Sequence, residues 1–277
     1  MAKYIVVVLM LFVFVSPGLA AEPSNVSEAK SPASEIPDVN TIINKANLMA
    51  YYQGKDGKAK VTMTITNKQG QKREREFIIL RKDVNDGGDQ KYFVYFERPA
   101  DVRRMVYMVH KHVGLQKDDD RWLYLPALDL VKRVAAGDKR TSFVGSDFLY
   151  EDVSGRSLAE DTHELIKTTD DLFVIKNVPK KADTVEFSYY NVSIDRKTFV
   201  PMKMDYFDKQ GKPYRVIESK KIEMIQNFPT VVQSEVTDVK TGSRTEMAFS
   251  DVKYDIGLDD DIFTERYLRK PPREAMR

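Results

Sequence analysis

The sequence predicts a mainly β (α+β) protein: a large curved antiparallel sheet of about a dozen strands with one long helix near its start. Three observations predict it. From Lys58 onward apolar residues recur at every second position in segment after segment, the period of a half-buried strand. The segments are separated by short polar turns, among them Asn67-Lys68-Gln69-Gly70, Asp208-Lys209-Gln210-Gly211 and Lys240-Thr241-Gly242, so that sequence neighbours pair antiparallel. Only one long stretch, from Val39 to about Tyr52, carries apolar residues at helical spacing.

Taken in order, residues 1–21 hold Lys3, an unbroken apolar run from Tyr4 to Val15, and the small-residue stretch Ser16 to Ala21. A charged start, a short apolar centre and small residues at the end predict a signal peptide cut after Ala20 or Ala21. At ~1.5 Å per residue the run is too short for a ~30 Å hydrocarbon core, so the expected mature chain is exported and soluble. The sequence contains no cysteine. A lipid anchor of the lipoprotein type, disulfides, thiol nucleophiles and thiolate metal sites are therefore not expected. Glu22 to Pro37 is rich in Ser, Pro and Ala and predicts a disordered leader. Residues 38–277 are expected to form a single domain. A net charge of +2, or +1 without Lys3, gives no reason to invoke nucleic acid.

Asp38 is placed to cap the helix, whose stripe comprises Val39, Ile42, Ile43, Ala46, Met49 and Ala50, and Gln53-Gly54 ends it. Val61, Met63 and Ile65 then alternate with threonines, and Gln71 to Arg81 returns with Phe77 and Ile79 on one face. Lys91 to Glu97 is apolar on both faces and is expected at the centre of the sheet. Val102 to Gln116 is expected as a long strand. In the strand from Arg121 to Pro126, Trp122 and Tyr124 share one face and Leu123 and Leu125 the other. Leu128 to Val134 returns, and a loop through Gly137 leads to Ser142-Phe143-Val144-Gly145-Ser146-Asp147-Phe148. Further strands are expected at 162–168, 172–177, 184–195, 200–208, 214–225, 231–239 and 244–254, with Asp259 to Asp261 capping a short helix from Ile262 to Leu268.

Catalytic chemistry finds little support. His110 and His112 share a strand face, but His163 is remote and no further ligands suggest themselves. Asp118 to Asp120 lacks the spacing of a calcium loop and reads as a solvated turn. Ser142 and Ser146 lack a nucleophile elbow, and Glu151 and Asp152, being adjacent, point apart as surface residues. No catalytic residue, metal or cofactor is expected, and the protein reads as a non-enzyme.

The run Asp118 to Leu128 (DDDRWLYLPAL), the basic pair Lys132-Arg133, Ser142 to Val153 (SFVGSDFLYEDV) and, upstream, Phe96 to Arg103 (FERPADVR) together resemble the bacterial outer-membrane lipoprotein-sorting proteins, of the LolA/LolB-like periplasmic carrier superfamily. The resemblance spans roughly Asn40 to Leu268 and departs where the family has Gly-Thr and this chain has Arg104-Met105. It implies a half-barrel with the first helix in or over its concave face. It also implies a periplasmic carrier of a lipid or lipoprotein, moving from inner towards outer membrane, with transient membrane contact and an inner-membrane exporter of the resistance-nodulation-division (RND) type as partner.

On that basis the apolar alternation marks an acyl-binding concavity: Val61, Met63, Ile65, Phe77, Ile79, Trp122, Tyr124, Phe187, Tyr189, Met202, Met204, Tyr206, Met247 and Phe249. The flexible thioethers suit an adaptable apolar wall. The alternative is a non-catalytic accessory subunit of such an exporter, its concavity filled by its own helix. The sequence does not choose among lipoprotein, phospholipid, sterol-like lipid and glycolipid as cargo, since all need an apolar groove.

Overall fold

In the computed structural model, which describes residues 36–114 and 117–272, Asp38 opens the first helix, α1 (Val39–Tyr51), with its carboxylate accepting from the backbone N–H groups of Asn40 and Thr41. The expected signal segment and nearly all of the expected leader lie outside the described residues. Thirteen strands follow in one sheet, every neighbouring pair antiparallel. They are β1 (Asp56–Thr66), β2 (Lys72–Asp83), β3 (Gln90–Arg98), β4 (Val106–Lys111), β5 (Asp120–Leu125) and β6 (Leu130–Arg133), then β7 (Asp161–Thr168), β8 (Leu172–Pro179), β9 (Phe187–Asp195), β10 (Pro201–Asp208), β11 (Pro213–Ile225), β12 (Phe228–Asp238) and β13 (Arg244–Tyr254).

Their spatial order is β6-β5-β4-β3-β2-β1-β13-β12-β11-β10-β9-β8-β7. The sheet is thus two meanders joined where the first strand pairs with the last, from Gly57↔Tyr254 to Thr66↔Arg244. β6 and β7 are its two edges, so the sheet is open and curved, a half-barrel rather than a closed barrel. β3 lies well inside it, as its two apolar faces require.

Three apolar layers stabilise this sheet. On the concave side of the first half, Val61, Met63, Phe77 and Phe96 pack beneath the connection from β6 to β7, which inserts Phe143 and Phe148. On the concave side of the second half, Phe173, Ile175, Phe187 and Tyr190 pack beneath Ile42, Ile43 and Ala46 of α1. On the convex side, Ile78, Phe93, Met108, Trp122 and Tyr124 are covered by Leu258, Ile262, Phe263 and Leu268.

The connection contains the motif singled out in the sequence, and its residues build a tight fold-back. Val144 (φ 50°) and Gly145 (φ 76°) turn the chain, and the Phe143 N–H donates to Phe148 O at 2.7 Å. The Asp147 carboxylate accepts from the Ser243 and Thr245 hydroxyls at 2.6 and 2.7 Å, which staples the turn to β13. A short helix, α2 (Tyr150–Ser154), follows.

Two expectations change. The strand expected from Val102 starts at Val106, because Pro99 to Met105 forms a turn in which the Val102 N–H donates to Pro99 O and the Met105 N–H to Val102 O. The expected Ile262–Leu268 helix divides into a 3-10 turn at Asp260–Phe263, capped by Asp259, and α3 (Arg266–Arg269). Each burial contact draws these residues onto the sheet separately, so no continuous helix forms.

Arg104 adopts φ 68°, a left-handed conformation, at the position where related sequences place glycine. A side chain there costs about 1–2 kcal/mol, partly offset by the entropy that glycine itself loses on folding. Arg104→Gly is therefore expected to stabilise the fold by up to about 1 kcal/mol, raising the thermal midpoint by about 2–4 °C in a calorimetric scan. An unchanged or lower midpoint would count against this account of the turn.

Candidate functional site: an apolar cavity beneath the first helix

Between α1, the β6–β7 connection and the concave face lies a cavity of about 400 Å³. Its floor is apolar and spans both meanders, with Ile79 of β2, Phe249 of β13, Ile217 of β11 and Met204 of β10. Ile43, Ala46 and Ala50 of α1 form its roof, and Phe143, Phe148 and Val153 close one side. Among the described residues that line it, only Ala50 is largely exposed, which places an opening beside the second half of α1.

The residues expected to line a concavity are divided by the structure. Phe77, Ile79, Met204, Tyr206, Met247 and Phe249 do line the cavity. Val61, Met63 and Ile65 lie on the same face but are sealed under Phe143 and Phe148 as core. Phe187 is also core, with the guanidinium groups of Arg140 and Arg156 above its ring at 4.8 and 5.5 Å.

The other expected lining residues lie away from the cavity. Trp122 and Tyr124 are on the convex face under the C-terminal segment, and Leu123 packs towards the concave core instead. Tyr189 stacks flat on Phe207 at 4.4 Å, outside the cavity lining. The reason is a bulge: Phe207 pairs with Tyr189 but Asp208 pairs with Phe187, so Ser188 is an extra residue and Phe187 shares its face with Tyr190. A second slip, between Pro201 and Lys203, puts Pro201 and Met204 on the cavity and leaves Met202 off it. Tyr190, Val192 and Ile194 line it in their place, as does α1. Their alternation was visible in the sequence; their face was not.

Two polar assemblies hold the roof and wall. At the C-terminus of α1, Arg81 donates to Tyr51 O at 2.8 Å, Gln53 O at 2.6 Å and Gly54 O at 2.8 Å, while its Nη1 also meets Asp83 at 2.8 Å. A guanidinium at this end satisfies helix carbonyls and opposes the negative pole of the helix dipole. Burial pushes the Asp83 carboxyl above its usual range despite its contacts with Gln90 and Arg81.

The wall is ionic. Glu151, expected at the surface, is 3% exposed and is surrounded by Arg140, Lys139 (3.2 Å) and Arg156 (3.4 Å). Burial raises its pKa, but the three cations outweigh burial and hold it below the usual range. Arg140 continues to Glu186, whose carboxyl is raised by burial yet lowered further by Arg140, to about 2. Arg156 continues to Asp161 at 3.0 Å, and Asp152, also expected at the surface, binds Arg215. Arg81, Glu151, Asp152 and Arg156 all border the cavity, and each has an opposite charge in contact.

The histidines serve structural contacts. His110 Nε2 meets Phe263 O at 2.7 Å, His112 lies between Asp89 (2.9 Å) and Asp120 (3.3 Å), and His163 meets Asn177 and Leu158 O. Among the described residues no group of three or more His, Cys, Asp or Glu side chains is arranged to hold a metal ion. Arg121 and Arg133 pair with the neighbouring acidic turn, Arg121 with Asp118 and Asp119 and Arg133 with Asp120.

A family model that carries the description of an uncharacterized protein matches residues 88–270. A DUF1329 family protein from Desulfovibrio piger superposes with a TM-score of 0.76 at 29% identity, covering 84% of this chain and 100% of that one. A putative outer membrane lipoprotein-sorting protein domain from Vibrio parahaemolyticus gives 0.74 at 26% identity, covering 84% and 98%. A LolA superfamily protein from Nitrosomonas europaea gives 0.65 at 17% identity, covering 84% and 100%, and shows the shared fold. No curated protein matches the sequence. The chain belongs to the family of the matching model and, with these neighbours, to the lipoprotein-sorting-like proteins of LolA-type fold.

The seat of α1 yields two expected outcomes. Gly155 has φ 77°, and a Cβ there would come within 2.5 Å of the Tyr51 ring. Gly155→Ala should therefore destabilise by more than about 2 kcal/mol, from backbone strain plus displacement of Tyr51, and a chemical melt within 0.5 kcal/mol of the parent would refute this placement.

Beside it, Lys111 is 3% exposed, donates to Ser154 O at 2.6 Å and sits 5.1 Å from the Tyr51 ring centre. Burial lowers its pKa from 10.5 to about 8. Because the native pKa is the lower one, the buried charge costs stability below about pH 8. Between pH 8 and 10.5 the native chain has released this proton while the unfolded chain has not, so Lys111 costs progressively less. The stability of Lys111→Met relative to the parent should thus fall by up to about 3 kcal/mol across that interval in denaturant melts at stepped pH.

Proposed function

We propose that this protein is a non-catalytic periplasmic carrier that shelters an acyl chain of a lipid or lipoprotein in the cavity beneath α1 and moves it from the inner towards the outer membrane. The observation that carries this reading is the cavity itself: about 400 Å³, apolar across floor and roof, and bordered by charges that are already paired. A site of this kind offers burial and no reacting group. At roughly 0.8 kcal/mol per methylene transferred from water, burial alone supplies useful affinity. The lipoprotein-sorting description of the Vibrio parahaemolyticus neighbour points the same way. No helix among the described residues is long and apolar enough to cross a membrane.

Delivery requires the cargo to enter and leave. The contacts of Arg81 with the end of α1 are polar and reversible, so the helix can serve as the movable cover. Loading and unloading imply transient membrane contact, and by resemblance to lipoprotein-sorting proteins the supplying partner is an inner-membrane exporter of the RND type. A specific observation supports a second reading: α1 and the β6–β7 connection already fill much of the concave face. On that reading the protein is a non-catalytic accessory subunit of the same exporter.

Native mass spectrometry on protein purified from a periplasmic extract without detergent separates the two. The carrier reading expects a bound acyl species that is released by lipid extraction. Met204→Glu and Ile79→Glu, both at half-buried lining positions, should reduce that species about tenfold or more with only modest loss of thermal stability. Met63→Arg is not informative, since Met63 is fully buried core and the change should unfold the chain. A clean apo mass that persists after incubation with phospholipid vesicles would favour the accessory subunit.

A further inference from the structure

From the size and walls of the cavity, and resting on the carrier reading, we infer that the protein accepts one hydrocarbon chain at a time while α1 is in place. The preferred cargo is a single-chain amphiphile, or one chain of a larger lipid whose remainder stays outside. Three observations bound the capacity. The volume is about 400 Å³. If a methylene fills about the ~30 Å³ that a water molecule takes in the liquid, this holds roughly a dozen methylenes, one chain of moderate length. Two or three parallel chains would need a multiple of that space.

The cavity cannot readily grow sideways. On one flank Phe143 makes close ring contacts with Phe96 (5.8 Å), Tyr107 (5.7 Å) and Tyr150 (5.4 Å), with Phe77, Phe96, Phe143 and Tyr107 all 3% exposed or less. On another, the ionic wall around Glu151 would have to separate buried opposite charges, a strongly unfavourable step. Enlargement is therefore left to displacement of α1, which Arg81 opposes through its bonds to Tyr51, Gln53 and Gly54.

Charge bears on the head group. The charged side chains bordering the cavity are already paired, so burying a further charge would leave it without a partner. The head group belongs outside, near exposed Ala50, and recognition rests on the chain.

The test uses delipidated protein and four probes in native mass spectrometry: saturated fatty acids from C8 to C20, a lysophospholipid, a diacyl phospholipid and a tripalmitoylated lipopeptide. The expected result is 1:1 binding of fatty acid and lysophospholipid. Affinity should rise about fourfold per methylene and then level off near the length that fills the cavity. The diacyl and triacyl probes should bind at least tenfold more weakly.

Val231→Phe, which narrows the cavity without touching Arg81, should move the plateau to shorter chains. Arg81→Ala should narrow the gap between single-chain and multi-chain probes. If the triacyl lipopeptide binds the parent as tightly as the best fatty acid, the one-chain inference is overturned while the carrier reading stands. If no probe binds, the carrier reading itself fails.

Discussion

The pairing of β1 with β13 is the constraint from which the rest of the architecture follows. It joins residues almost two hundred positions apart, from Gly57↔Tyr254 to Thr66↔Arg244, and makes one sheet of two meanders. Buried Asp56 reinforces it, its carboxylate accepting from the Ile256 and Leu258 N–H groups at 2.7 Å each. Because first and last strands meet at the centre, the chain must leave the sheet at one edge, β6, and re-enter at the opposite edge, β7. The connection between them is therefore obliged to cross the concave face, which explains why the most distinctive stretch of sequence lies there. Contacts so distant in sequence also imply slow folding relative to a helical protein of this size.

That crossing segment combines apolar and ionic anchoring. Phe143 and Phe148 enter the core, Asp147 binds β13, and Glu151, Asp152 and Arg156 tie the segment to residues of β7, β11 and the approach to β9. Buried ion pairs contribute little net stability compared with apolar packing, because desolvation offsets their attraction. They are demanding in geometry, however, and a misplaced connection would leave Glu151 or Arg215 buried without its partner. The same groups shape one wall of the cavity, so the geometry that orders the fold also bounds the space left for a ligand.

The strands and their turns were legible because alternation at period two is a local property, and so was α1, with its cap and apolar stripe. The site was legible only in part. Period two predicts that Phe187 and Tyr189 share a face, and a single extra residue at Ser188 separates them. Likewise the slip near Met202 hands its place to Pro201. Bulges leave little trace in a sequence whose residues are all acceptable in strands.

What the amino-acid sequence by itself determined is the set of elements, their antiparallel succession and the apolar character of one face of most strands. These depend on local propensity and on spacing along the chain. Tertiary structure alone decided which apolar face lies under α1, which under the C-terminal segment, and which remains uncovered as a cavity. Trp122 and Phe249 are equally apolar in the sequence; one is sealed beneath Phe263 and Leu268 and the other faces open space. The difference is one of partners that lie far away in the chain, and burial acts through those partners rather than through the residue itself.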